Sequence, residues 1–354
     1  MSGRLRPDAT VVVADPAEAG AVYGRGFFGR PEAGGLELER TESVYLGEMG
    51  RLQVADGRGA AVPWTDLLRG AVRAEPGFAV AYLVYRDLRQ RGYVVRGSPP
   101  PARFAVLPRG GILNKTPARF WVQPISERSA FDLGAIRELF DRARGARKTL
   151  LLGVVDEESD LTYYRVTAPA PRGSRPFVRP AAPGTAEVTE DRVYLTEPEA
   201  VRNLGGELGF GSAIGQRLDL SLVEAVYLAE MEAIRLRSAT SRRPVPLERL
   251  RSRAGRVDPA FGLRLPAYRA LRELGLVVKT GFKYGAHFRA YVRDPEHAHA
   301  RYLVQAVAAD HRGPWPTLAG QVRLAQGVRK EFLLAAVDPA GGPVRYLSFE
   351  RIRP

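Results

Sequence analysis

All four histidines of this 354-residue chain, His287, His297, His299 and His311, fall within one window of 25 residues in the C-terminal half. The same region holds the phenol of Tyr291 and leads on to the ammonium of Lys330. Imidazoles and phenols exchange protons and ammonium groups hold developing negative charge, so the region contains the parts for metal-free acid–base catalysis. Each part also has an ordinary use: a strand tyrosine packs in a core, a lone histidine sits on the surface and a lysine flanks a strand. Spacing alone does not select among them. Cysteine is absent, which excludes disulfides, thiolate nucleophiles and Cys-ligated zinc. Magnesium chemistry needs carboxylates; the nearby acids, Asp294 and Glu296, lie in a predicted loop, and no Asp/Glu-x-Lys pattern includes Lys330. Neither a metal nor a cofactor is expected.

The elements that position these residues occur twice. Phe28-Gly29 returns as Phe210-Gly211 and Tyr45-Leu46-Gly47-Glu48-Met49 as Tyr227-Leu228-Ala229-Glu230-Met231, both at an offset of 182. Tyr85-Arg86-Asp87-Leu88-Arg89 returns as Tyr268-Arg269-Ala270-Leu271-Arg272 at 183, and Arg147-Lys148 as Arg329-Lys330 at 182. Ordered blocks at one offset imply a duplication. Each copy reads as a strand (10–14 or 192–195), a Gly-rich turn, a short helix and an amphipathic helix closed by Gly92 or Gly275. More strands follow, then a helix with Ile136, Phe140 and Ala143, or Leu318, Val322, Ala325 and Val328, on one stripe. A buried strand (149–155 or 332–337) closes the unit. The fold class is α/β and α+β: two tandem copies, each a small N-terminal α+β subdomain followed by a mixed sheet flanked by helices. The expected boundaries are 1–167 for the first copy, 168–187 for a proline-rich, semi-rigid linker without ladder hydrogen bonds, and 188–354 for the second. The second divides at 260/261.

Features kept in one copy only are not demanded by the fold. Residues 96–119, which occupy in the first copy the place of the histidine window, contain neither Tyr nor His, and Pro117 stands where His299 would be. Lys148 keeps the lysine without those partners.

The run KTGFKYGAHFRAY from Lys279, followed by HARYLVQAV from His299 and VRLAQGVRKEFLLAAVD from Val322, resembles the catalytic region of archaeal tRNA-splicing endonucleases, the tRNA-intron lyases. The Gly-Phe-Gly and Tyr-Leu-x-Glu blocks extend the likeness over nearly the whole chain, in the manner of the fused two-repeat homodimeric type. The resemblance implies a restriction-endonuclease-like catalytic subdomain in the second copy and a degenerate first copy. Tyr291 would then be general base, His299 general acid and Lys330 the cation facing the non-bridging oxygens. The products would be a 2′,3′-cyclic phosphate and a 5′-hydroxyl. An ordinary phenol is only about a thousandth ionised at neutral pH, so a tyrosine base needs a cation beside it. His297 is a minor alternative to His299, while His287 and His311 read as structural or surface residues. Arg323 and Arg345 match the pair that clamps a bulged base, and the acidic turn with Asp156, Glu157, Glu158 and Asp160 matches a loop that enters a positive pocket of a partner unit. The substrate implied is precursor tRNA containing a bulge-helix-bulge.

Bulk properties agree with a polyanionic partner: the net charge is +14 and the pI about 10.3, and clustered cations gain affinity by releasing phosphate counterions. No apolar stretch is long enough for a signal peptide or a membrane span, so a soluble cytoplasmic protein is expected, and the resemblance implies that it is a homodimer. The rivals are a metal-dependent nuclease and a non-catalytic RNA-binding or scaffold subunit.

Overall fold

The computed structural model describes residues 1–98 and 101–354, and these divide into two compact units. One comprises Met1–Ala130, Ala135–Val166 and Arg351–Pro354; the other comprises Phe131–Gly134 and Thr167–Glu350. Among the described residues no helix is long and apolar enough to cross a membrane.

The first unit opens with a sheet in the order Arg30–Glu32, Gly35–Leu38, Val11–Val13, Ser2–Leu5, Gln53–Ala55, Ala61–Val62. The helix Arg40–Glu48 carries the Tyr45-Leu46 block and ends at Met49. In the helix Phe78–Gln90, Tyr82, Tyr85 and Leu88 are buried, as their spacing predicts. Its main sheet runs Val95–Gly97, Phe104–Val106, Phe120–Ser126, Thr149–Val155, Leu161–Thr167. Neighbours are antiparallel except for the parallel pair Phe120–Ser126 and Thr149–Val155, which the helix Leu133–Gly145 connects.

The second unit repeats this plan. A sheet in the order Ser212–Ile214, Arg217–Leu220, Val193–Leu195, Gly184–Val188, Ile234–Ser238 precedes the main sheet. The latter runs Val277–Thr280, Phe288–Tyr291, Tyr302–Ala308, Glu331–Val337, Arg345–Ile352, again with only the third and fourth strands parallel and a helix, Trp315–Gly327, between them. The duplication is therefore one of topology as well as of sequence. Leu318, Val322 and Ala325 face the core, but Val328 lies past the helix end and is exposed, so the apolar stripe stops a turn earlier than its spacing suggests.

Both copies build the same anchor under the Gly-rich turn. Glu224 accepts the N–H groups of Gly211 (2.8 Å) and Ser221 (3.0 Å), and Glu42 accepts those of Gly29 (3.0 Å) and Glu39 (2.9 Å). Arg272 has no exposed surface; its two terminal nitrogens donate to the carbonyls of Leu276 and Leu208, each at 2.9 Å, and its guanidinium lies 4.1 Å from the Phe210 ring centre. Arg89 does the same with Gly26 and Phe28. Glycine ends the amphipathic helices because their closing residues, Gly92 and Gly275, have φ of 85° and 76°, open at little cost only to glycine.

The segment 168–187, expected as a semi-rigid linker without ladder hydrogen bonds, is bonded to the rest of the second unit in two places. Gly184–Val188 is already a strand, and Gly173, Ser174 and Arg175 donate backbone N–H groups to the carbonyls of Leu274 (2.8 Å), Val292 (3.0 Å) and Gly275 (2.9 Å). Prolines surround this tripeptide but do not interrupt it, so its donors remain available. Phe177 completes the attachment against Phe210 and Tyr227. A Cβ on Gly173 would meet the Gly275 oxygen at 2.1 Å, so this approach requires glycine.

Candidate active site

The strand register brings Tyr291, His299 and Lys330 to one edge of the second unit's main sheet. Ala290 pairs with Tyr302, and Tyr302 with Glu331. One residue further along, the Arg301 N–H donates to Ala290 (3.0 Å) and the Glu331 N–H to Arg301 (2.9 Å). Tyr291 and Lys330 therefore flank Arg301 on either side, separated by two strand spacings, roughly 10 Å between backbones. His299 lies two residues before Arg301, on the chain that enters the middle strand. The first unit has the same row with different side chains. Arg119 donates to Val106 (2.9 Å) and Thr149 to Arg119 (3.0 Å), which puts Leu107, Pro117 and Lys148 in the three places. Lys148 there spends its ammonium on the Ala118 carbonyl, 2.6 Å away.

Each side chain has a local cause for its position. Lys330 follows a helix closure in which Arg329 adopts φ of 55° and the Lys330 N–H returns to the Ala325 carbonyl at 2.8 Å; Arg147 and Lys148 repeat it at φ of 57° and 2.8 Å. Tyr291 is buried against Val277 and Ala300, with the Arg289 guanidinium 5.7 Å from its ring centre. His299 is exposed. The Lys330 ammonium lies 5.6 Å from the ring centre of Tyr284, a residue that sequence reasoning did not single out. Only its position in the KTGFKYGAHFRAY run pointed to it. Tyr284 belongs to the single helical turn Phe282–Tyr284 at the tip of the hairpin between Val277–Thr280 and Phe288–Tyr291.

The other candidates fall elsewhere. His297 is in a turn, not on the strand face: its N–H donates to the Asp294 carbonyl at 3.1 Å, and Pro295 stands between them. Asp294, Glu296 and His297 have ligand atoms within 4.8 Å of one another, but Asp294 is already engaged by Arg175 and by the Glu296 N–H (3.0 Å), so the group is an ion-paired turn. His287 is half-buried, and its Nδ1 accepts the Ala306 N–H at 3.2 Å. Burial, with the Arg264 guanidinium nearby, holds its pKa below the ordinary histidine value, which suits this acceptor role. The His311 ring packs 6.1 Å from Phe131. Arg323 is exposed on the helix Trp315–Gly327. Arg345, also exposed, pairs with Ala336 near the far end of Glu331–Val337 and so is not at the edge that carries Lys330.

In the first unit, Asp156 accepts the N–H groups of Glu158 (3.0 Å) and Asp160 (2.8 Å), so it holds the acidic turn together, while Glu157, Glu158 and Asp160 are exposed. Glu157 pairs with Arg128 at 3.1 Å. In the second unit a cleft of about 700 Å³ is bordered by Arg175, Arg192, Lys279, Arg289 and Tyr291 but by neither His299 nor Lys330. The three candidate residues thus share one end of interior strands, with Tyr291 buried on the cleft and His299 exposed outside it.

The model of the tRNA intron endonuclease catalytic C-terminal domain matches residues 78–163 and 261–346, and that of the tRNA intron endonuclease N-terminal domain matches 1–67 and 184–251. This chain belongs to the tRNA intron endonuclease family. It is 36% identical over 346 residues to the tRNA-splicing endonuclease of Methanosarcina acetivorans, covering 97% of each chain. It is 35% identical over 370 residues to that of Halobacterium salinarum, covering both chains fully. With Methanococcoides burtonii the identity is 35% over 336 residues and 94% of each chain. The two matches of each family model follow the two structural copies described above.

Proposed function

We propose that the chain is a tRNA-splicing endonuclease that cuts precursor tRNA at both intron boundaries of a bulge-helix-bulge without a metal. The observation that carries this is the paired edge: the same three places hold Tyr291, His299 and Lys330 in one copy and Leu107, Pro117 and Lys148 in the other. Tyr291 takes the proton of the 2′-hydroxyl, whose oxygen forms a bond to phosphorus. The bond from phosphorus to the 5′-oxygen breaks, and His299 donates the proton that this leaving oxygen takes up. Lys330 faces the non-bridging oxygens while charge builds on them. The products are a 2′,3′-cyclic phosphate and a 5′-hydroxyl. Arg323 and Arg345 hold a bulged base by stacking; the distance of Arg345 from the Lys330 edge suits a bulge other than the one being cut. Incubation with a bulge-helix-bulge transcript in EDTA tests the reading: scission at both boundaries is expected. Cleavage that returns only with magnesium would overturn metal independence, and binding without scission would favour a scaffold.

The working form is a cytoplasmic homodimer in which the acidic turn of one protomer enters a pocket of the other's catalytic unit. What supports this is the exposure of Glu157, Glu158 and Asp160 together with a cleft whose border includes Arg192, Arg264 and Arg289, although Asp219, Glu224, Asp294 and Glu296 line it too and Arg175 is already paired with Asp294. Replacing Glu157→Gln, Glu158→Gln and Asp160→Asn together, while Asp156 keeps the turn folded, weakens the dimer at least about tenfold, in line with desolvated charge pairs across an interface. Sedimentation at graded concentration and salt measures it, and an unaltered dimer refutes the docking.

A further inference from the structure

Phe282 exposes 85% of its surface, far more than any other large hydrophobic residue of the second unit's main sheet or its hairpins. A phenyl ring in water forgoes the stabilisation that burial would give it, and the turn that carries it is built to keep it out. The Phe282 N–H donates to Thr280 Oγ1 (3.3 Å), the Tyr284 N–H to the Gly281 carbonyl (2.8 Å) and the Gly285 N–H to the Phe282 carbonyl (3.1 Å). Glycine is required before it, since a Cβ on Gly281 would meet the Ala286 oxygen at 2.6 Å, and Gly285 closes the turn at φ of 59°, a value glycine adopts most easily. The same turn places Tyr284 with its ring centre 5.6 Å from the Lys330 ammonium, so the exposed ring is two residues along the chain from the one that packs near Lys330.

We propose that Phe282 is a stacking platform for an unpaired RNA base flanking the scissile phosphodiester, an inference that rests on the endonuclease reading above. Residues 279–293 contain no acid, and of their cations Lys283 and Arg293 are exposed, which favours a polyanion over an ordinary protein surface. One exposed phenyl ring, with no other exposed large hydrophobic residue in its hairpin, offers a base a flat face but offers a protein no contiguous apolar patch. The corresponding hairpin of the first copy, between Gly97 and Phe104, has no aromatic residue in its sequence, so the ring accompanies the catalytic copy and not the fold.

The test uses the full chain and a bulge-helix-bulge transcript with 2-aminopurine in the bulge. Phe282→Ala should lower kcat/KM about 5- to 150-fold, the equivalent of roughly 1 to 3 kcal/mol per stacked base. Phe282→Trp should restore it and Phe282→Leu should not. The wild type should quench the 2-aminopurine fluorescence and Phe282→Ala should not, while thermal unfolding and sedimentation stay unchanged. Wild-type rates and quenching in Phe282→Ala, full rescue by leucine, or a lighter sedimenting species each overturn the proposal; the last would assign the ring to a contact between copies. Quenching by a wild type that does not cut would uphold stacking and remove the catalytic reading instead.

Discussion

His299→Ala is expected to cut a bulge-helix-bulge transcript about 10²- to 10⁴-fold more slowly than the wild type, the usual contribution of one positioned proton donor. Affinity for the RNA should scarcely change, because phosphate contacts and base stacking supply binding and His299 supplies neither. Stability should also hold, since the side chain is exposed and such substitutions stay within about 0.5 kcal/mol. Single-turnover rates at saturating enzyme separate the chemical step from binding. A leaving oxygen that needs a proton predicts a further signature: a substrate with a better leaving group at the 5′-oxygen should recover much of the lost rate. An unchanged rate in the variant would remove His299 from the site, and His297, held in its turn by Asp294, would not be a natural replacement.

The largest effect on stability is expected for Arg272→Ala, roughly 3 to 5 kcal/mol, from two orphaned carbonyls and the space left by the guanidinium. Leu208 and Leu276 lose donors at 2.9 Å, and the Phe210 ring loses the group stacked on it. The loss falls on the junction between the Gly-rich turn and the helix Phe261–Glu273, on which the catalytic hairpin is built. Arg89→Ala provides an internal comparison. Arg89 is partly exposed and its second carbonyl contact, to Tyr93, is longer at 3.3 Å, so its removal should cost less. Denaturant midpoints for both variants measure the difference, and an Arg272→Ala midpoint equal to the wild type would show that the buried guanidinium is dispensable.

The plan of the fold was legible because a duplicated sequence must satisfy the same register twice. The offset of 182 aligned Lys148 with Lys330, and the hydrogen bonds of Arg119 and Arg301 then coincide. The three proposed catalytic residues were legible by subtraction, through the contrast with Pro117 and the pattern of the family. Tyr284 was not, because its meeting with Lys330 joins a hairpin tip to a helix end 46 residues away, a contact that no local periodicity encodes. The helix stripe ran too far at Val328 because spacing continues past Gly327, whereas the backbone turns there. Proline content described the segment between the copies correctly where prolines stand, and failed at Gly173-Ser174-Arg175, where three consecutive amides are free to bond.

That tripeptide decides where the polypeptide can be divided. Gly173, Ser174 and Arg175 donate to carbonyls of the second unit, and Phe177 is one of its packed aromatics. A gene split into two separately made halves would therefore have to break upstream of Gly173, leaving this strap as the leading end of the second piece. A break placed at the first residue of the following strand would strip a girdle from the half that carries Tyr291, His299 and Lys330.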